Sequence, residues 1–278
     1  MNLIKFVFPF LASATVFLDT DIAEAANPEH LQQLLQTNEC VNCDLTDADL
    51  KGKNLRGAKL IGTSLTRANL SGANLDDANL ANTNLLQANL ESATLRRANL
   101  STYIKQQTDL RQANLKSAIL SYAQLNGVNL EGANLEGANL EGANLYAAIV
   151  RTTAERHIVP TTLRQVNLSN STLRRAKLDQ VIIEDTDLTS ANLQGASLRQ
   201  SRIARSNLSK ADFKGADLRR ASFTEANLTG ANLSTAFLAK SNMQDVDLRE
   251  ADLRNIDLRG AKLCSVMLPT GNRSDKGC

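Results

Sequence analysis

The chain has 278 residues, no Trp, 4% aromatic and 22% charged side chains, and a formal net charge of +2. With so few aromatics, 2 His and 4 Cys, it lacks most of the material of an ordinary enzyme core or a multi-metal site. A charge this close to balance also excludes a strong polyelectrolyte of either sign.

The N-terminal stretch begins with Lys5, continues as a 13-residue apolar run from Phe6 to Leu18, and ends at Ala23-Glu24-Ala25, the small-x-small form of a signal-peptidase site. Thirteen residues are short for a bilayer span. The expectation is a cleaved export signal over residues 1–25 and a mature chain from Ala26 with no transmembrane span; an uncleaved anchor is the alternative. Without that segment 30 basic side chains face 26 acidic ones, and the excess lies in residues 151–278, with 20 against 14. Next, residues 26–39 predict a capping helix: Asn27 is a capping residue, Pro28 suits the first helical position, Glu29 the first turn, and Leu31, Leu34 and Leu35 form an apolar stripe within 28–37. All four cysteines, Cys40, Cys43, Cys264 and Cys278, lie at the two ends of the mature chain, and in an exported protein this predicts one staple per end, Cys40 to Cys43 and Cys264 to Cys278. A lone C-x-x-C is also the form of a redox pair or half a metal site, but no second one exists, and the nearest His upstream is His30.

From residue 40 the chain repeats with period five, most regularly at 131–145, EGANLEGANLEGANL. On a helix a Leu every fifth residue advances about 140° and forms no stripe. On a straight strand an odd spacing sends successive leucines to opposite faces. The chain therefore turns once per word and winds into a coil with every Leu on its axis. One register runs from Leu45 to Val150 and gives 22 centres, all Leu except Lys105 and Val150. A second runs from Leu163 to Leu268, again 22 centres, with Ile183, Ile203, Phe213, Phe223 and Met243 as the other occupants. The position two before each centre is usually small, as at Ala68 and Ala138, which suits a crowded inward site; the rest of the word is outside.

The words SGANL, EGANL, TGANL and KGADL resemble the A-[ND]-L-x-x motif of pentapeptide-repeat proteins, over 44 words in two registers. That resemblance implies an all-β fold, a right-handed quadrilateral β-helix with four words per coil. Here it amounts to a solenoid of about 11 coils, roughly 50 Å long at about 4.8 Å per coil, with the short α-helix at its N-terminal end. The division is then residues 40–150 as a first block, 151–162 as a connecting loop, 163–268 as a second block and 269–278 as a C-terminal tail.

Two places break the pattern. A Lys on the axis at Lys105 would cost several kcal/mol, so the backbone is expected to bulge at Tyr103 to Lys105 and turn Ile104 inward. Between the blocks, Pro160 and a polar run predict a protruding loop in which Arg156 and His157 either contact a partner or are simply solvated. With four words per turn, residues 20 apart stack, which aligns Asp179, Arg199, Arg219, Ala239 and Arg259, with Arg220 and Lys240 beside them. Two readings of this basic stripe stand: a contact for an anionic partner surface or lipid head group, or a solvated face compensated by Asp217 and Asp257. The polar tail leaves the last coil thinly covered, so either a second copy docks near Phe237, Leu258 and Leu268, or the tail folds over its own end under Cys278.

A Leu-filled axis offers no catalytic pocket, and no P-loop, G-x-S-x-G, H-E-x-x-H or dinucleotide fingerprint occurs. No enzymatic activity, catalytic residue, cofactor or metal is expected. Some pentapeptide-repeat proteins mimic nucleic acid and act on DNA gyrase, so the resemblance implies a DNA mimic or gyrase-interacting protein as one alternative. That role asks for a strongly acidic cytoplasmic rod, whereas this chain is mildly basic and carries an export signal. The chain also resembles exported pentapeptide-repeat proteins common in cyanobacteria, in which a signal peptide, a short helix and a cysteine pair precede the repeats. This implies an address in the periplasm or thylakoid lumen. The expected function is a non-enzymatic extracytoplasmic scaffold for protein interaction, with an unidentified protein partner and no nucleic acid.

Overall fold

The computed structural model describes residues 26–104, 106–151 and 156–278. Residues 1–25, where the export signal is expected, Lys105, residues 152–155 and the side chains of Arg151 and Arg156 lie outside the described residues.

One word shows how the rod is built. Leu70 is buried on the axis and donates its N–H to Asn89 of the next coil at 2.7 Å, while Asn69 N–H reaches back to Ala48 O of the previous one at 2.9 Å. Ala73 N–H closes the turn on Leu70 O at 3.0 Å, and Gly72 between them takes the left-handed conformation, φ 64°. Bridges such as Asp49↔Asn69 and Asn69↔Asn89 advance by 20 residues, so four words make one coil. The backbone is therefore satisfied mainly between coils, which is why so much of this β-rich rod consists of single bridged residues and few strands are long.

Inside, the Leu centres and the Ala residues two before them form one continuous core. Phe213 and Phe223 meet from opposite faces, with ring centroids 6.4 Å apart at 86°. From the block boundary onward, β1 (Ala148–Arg151) pairs antiparallel with β2 (Arg156–Val159), and β3 (Thr162–Arg164), β4 (Ile182–Glu184) and β5 (Arg202–Ala204) stack parallel. On that parallel stack the Glu184 side chain is buried between Arg164 (3.1 Å), Arg202 (2.7 Å) and Arg205 (3.9 Å). Its Oε1 lies close to Arg202 Nε but makes no hydrogen bond, so that contact is an ion pair alone.

Both breaks differ from the sequence expectation. The ladder passes from Leu100 to Leu110, and the bridges there advance by 25 residues, as in Asn84↔Asp109. A whole word leaves the wall at this point. Ile104 does not turn inward but is 52% exposed beside exposed Tyr103, because Ser101, Thr102 and Thr108 fill the corner below. Thr102 Oγ1 donates to Gly127 O at 2.9 Å and accepts Thr108 N–H at 3.1 Å, so the corner is closed by hydroxyls without an apolar plug. Val150 is buried, but in strand β1 and off the axis, and the connection at 151–162 is largely a β-hairpin. His157 lies opposite Val150 on the hairpin face that packs toward the rod and is half-buried.

At the N-terminal end, α1 (Pro28–Thr37) is capped by Asn27 Oδ1, which accepts Glu29 N–H at 3.0 Å and His30 N–H at 3.3 Å. Leu34 is buried and Leu31 partly so, whereas Leu35 faces solvent, which narrows the stripe. Cys40 and Cys43 form a disulfide beneath this helix, and Asp44 N–H donates to His30 Nδ1 at 3.0 Å. The C-terminal tail is more ordered than a polar coil: β6 (Leu263–Met267) pairs antiparallel with β7 (Arg273–Lys276) through a turn at Gly271, and a disulfide joins Cys264 to Cys278.

Gly127 is where the hairpin meets the wall. A Cβ there would lie 2.5 Å from Ala148 Cβ and 3.2 Å from Val159 O, whereas at Gly72, also at positive φ, it would meet nothing within 4 Å. Gly72→Ala is expected to cost about 1 kcal/mol from backbone conformation alone. Gly127→Ala carries an overpacking penalty of about 1–3 kcal/mol besides, and hydrogen exchange is expected to show β1 and β2 loosened with the flanking coils protected.

Candidate functional site

The two departures from the repeat sit on the same edge of the rod. The wall after Leu100, Leu125 and Leu145 continues after Leu178, Leu198, Leu218, Leu238 and Leu258, as the inter-coil bonds Leu100 N to Gln124 O, Leu125 N to Asn144 O, Leu145 N to Lys177 O and Leu178 N to Ser197 O show. The expelled word follows Leu100 and the hairpin follows Leu145, so they project from one corner with the coil at Gly127 between them. Gln107 Nε2 ties them together, donating to Gly127 O at 2.6 Å and to Pro160 O at 3.4 Å. Thr161 Oγ1 completes the joint by accepting Gly127 N–H at 2.9 Å. Four large apolar side chains stand exposed here: Tyr103, Ile104, and the cross-strand pair Ile149 and Ile158, the last two 51% and 63% exposed.

Farther along, the same edge carries the basic stripe. Asp179, Gln180, Arg199, Gln200, Arg219, Arg220, Ala239 and Lys240 line a concavity of about 470 Å³. Arg259 sits one coil beyond, where its backbone carbonyl accepts Lys240 N–H at 2.9 Å. The floor is partly an amide ladder, Gln180 Nε2 to Gln200 Oε1 at 3.1 Å. Tyr146, at the foot of the hairpin, connects the two regions; burial and a hydrogen bond to Asp179 push its phenol above the usual value.

The charges are unevenly matched. Arg219 makes a fork to Asp217 at 2.8 and 2.5 Å, Arg199 reaches the same carboxylate at 3.5 Å, and Arg259 makes a fork to Asp257 at 2.9 Å on both arms. Among the described residues Arg220 and Lys240 have no carboxylate within salt-bridge distance. The stripe is thus part salt-bridged face and part uncompensated cation. Phe237 takes the outer ladder position between Asp217 and Asp257 and is 49% exposed beside the groove, away from the end of the rod where sequence reasoning placed it. The signal for this was present: an aromatic stands where the word normally has Asn or Asp.

Arginine hydrogen bonds hold Asp217, Asp247, Asp252 and Asp257 below the usual carboxylate range, Asp257 down to about 2. A depressed folded-state value contributes stability above the unfolded value near 4 and loses it as pH falls through the folded value. The melting temperature is therefore expected to be flat from about pH 7 to 5 and to decline between about pH 4 and 2, modestly because these pairs are exposed.

Among the described residues no group of three His, Cys, Asp or Glu is placed to hold a metal, and no helix is long and apolar enough to cross a membrane. What fold and site define is a β-solenoid with a filled axis and one differentiated outer edge. A sequence model of pentapeptide repeats matches it in 8 copies, over residues 39–77, 73–101, 108–145, 167–203, 201–239 and 241–268. The chain belongs to the pentapeptide repeat family, whose fold is the right-handed β-helix. Among solved structures it is similar to HetL, a pentapeptide repeat protein involved in heterocyst differentiation regulation in the cyanobacterium Nostoc sp. strain PCC 7120, at 28% identity over 90% of this chain and 99% of that one, TM-score 0.44. Rfr23 from the cyanobacterium Cyanothece 51142 is 30% identical over 57% of this chain and 96% of that one, TM-score 0.30. QnrB1, a plasmid-mediated fluoroquinolone resistance protein, is 18% identical over 81% and 86%, TM-score 0.36. No curated protein sequence matches.

Proposed function

We propose that the protein is a non-enzymatic scaffold of an extracytoplasmic compartment, the periplasm or thylakoid lumen, which docks a protein partner through the edge described above. One observation carries the docking reading: the expelled word, the hairpin and the cationic groove all lie on a single edge. This edge gathers exposed apolar knobs at Tyr103, Ile104, Ile149 and Ile158, followed by a groove of arginines, the mix of apolar and charged surface that suits selective recognition. The nucleic-acid-mimic alternative calls for an anionic surface, and the differentiated edge is cationic. The extracytoplasmic address rests on the form of residues 1–25 and the even cysteine count. The test is crosslinking in the source cell with full-length chain, wild type against Ile149→Ser combined with Ile158→Ser. Loss of one stoichiometric protein partner in the variant supports docking here; a partner retained in full, or recovery of gyrase or DNA, overturns it. Cytoplasmic retention of the tagged chain overturns the address.

Homodimerisation belongs to the same proposal, on a separate observation. Among the described residues the amides of Leu253 and Leu258 in the last coil have no protein acceptor, and Ile256, Leu258, Ala261 and Leu263 line a concavity of about 530 Å³ there. Unpaired ladder donors invite pairing with another chain, and a second copy across a two-fold axis would supply it beside the tail residues Lys276 and Gly277 that form the rest of the rim. Light scattering at micromolar concentration is expected to give the dimer mass; the monomer mass contradicts it.

A further inference from the structure

The groove contains a backbone donor that the rod's own hydrogen-bonding rule leaves open. In word after word the Asn or Asp before the centre accepts the N–H of the residue after it: Asn69 from Ser71 at 3.2 Å, Asp217 from Arg219 at 3.3 Å, Asp257 from Arg259 at 3.1 Å. Where that acceptor is missing, a carboxylate one coil earlier replaces it at two sites. Thr94 lacks it, and Arg96 N–H donates to Asp76 Oδ1 at 2.8 Å, with Arg96 Nη1 on the other oxygen at 3.2 Å. Ser197 lacks it, and Arg199 N–H donates to Asp179 Oδ1 at 2.8 Å.

Neither device operates at Ala239. The residue before its centre is Phe237, and the residue one coil earlier is Arg219, so among the described residues Ala239 N–H has no acceptor. Other words lack the Asn or Asp too, such as that of Ile119; what separates Ala239 is its setting. Its methyl group stands where Arg199, Arg219 and Arg259 carry long side chains, which leaves the stack hollow there, and the hollow lies in the groove lined by Arg219, Arg220 and Lys240. Donor, cations and space coincide.

We infer that this hollow is a binding site for a carboxylate of a partner protein, an Asp or Glu side chain or a C-terminus, held by Ala239 N–H, Arg220 and Lys240, with the Phe237 ring against the apolar part of the bound segment. A carboxylate is the group the rod itself places in the equivalent position, at Asp76 and Asp179. Asp179 and Asp217 already neutralise part of the groove, which disfavours a dianionic phosphate. The site rests on the reading of this edge as a docking surface and names what it receives.

The discriminating variant is Phe237→Asn, which restores the missing acceptor to Ala239 N–H and leaves every cation in place. With a fluorescein-labelled tetraglutamate peptide as probe, anisotropy is expected to show saturable binding by the wild type. Phe237→Asn is expected to weaken it roughly tenfold or more, the scale of one charge-assisted hydrogen bond, with an unchanged or higher melting temperature; Arg220→Gln and Lys240→Gln weaken it similarly. Equal binding by Phe237→Asn overturns the site, because the peptide then responds only to a diffuse positive field. Preference for inorganic phosphate or for phosphatidylserine vesicles over the peptide overturns the carboxylate assignment. If Phe237→Asn keeps the crosslinked partner while Ile149→Ser with Ile158→Ser loses it, the scaffold reading stands and the carboxylate site falls.

Discussion

Truncating Phe223 to Ala is expected to destabilise the rod by about 3–5 kcal/mol, read as a shift of the urea unfolding midpoint. Phe213 and Phe223 are fully buried and edge-to-face across the axis, where most other coils carry Leu. The aromatic pair contributes beyond its area, and the surrounding wall is held coil to coil by bonds such as Phe223 N to Asn242 O at 2.7 Å. Such a wall collapses poorly into a void, which places the cost toward the upper end. Phe223→Leu converts the site to the ordinary occupant and is expected to cost less than about 1.5 kcal/mol. A small, equal effect of both changes would show that the axis repacks freely.

The second large effect is expected at the C-terminal staple. Cys264 and Cys278 are 14 residues apart, and removing a cross-link that closes a loop of about 15 residues costs about 3 kcal/mol in the chain-entropy account. Replacing both by Ser is expected to abolish exchange protection across β6 and β7. Cys40 and Cys43 are only 3 apart, so the same change there costs less, about 2 kcal/mol, and is felt by α1. In each case the loss stays at one end, because a coil contacts only its neighbours. Loss of protection along the whole rod would contradict that.

The fold was largely legible because a five-residue period admits few solutions, and the capping chemistry of Asn27 and Pro28 is local. Four words per coil came from family resemblance, since period alone does not choose among polygons. The two breaks show where counting succeeds and where it fails. The hairpin disturbs the phase of the repeat and is visible. The word lost between Leu100 and Leu110 leaves the phase intact, so only the unsuitable Lys at the centre marks it, the count does not reveal that a whole word is missing, and Val150, in phase by coincidence, passes for an axis residue. Because the bridges advance by 25 residues at the first break and by 33 at the second, as in Asn129↔Thr162, no count by twenties brings Tyr103 and Ile158 to the edge of Arg219. The arginine stripe is legible since no insertion intervenes after Leu163; its hollow is not, because in the sequence Phe237 reads as a hydrophobe near an end and not as an absent acceptor.

The 20-residue step between bridged positions also has a mechanical consequence. Pulled from its two ends, the rod yields chain one coil at a time. Each coil that peels away surrenders roughly 5 Å of axial length and releases on the order of 70 Å of extended backbone. The molecule is in that sense a spool: stiff until a terminal coil detaches, then extensible in near-equal increments, with the two disulfides standing guard over the first turn to unwind at either end.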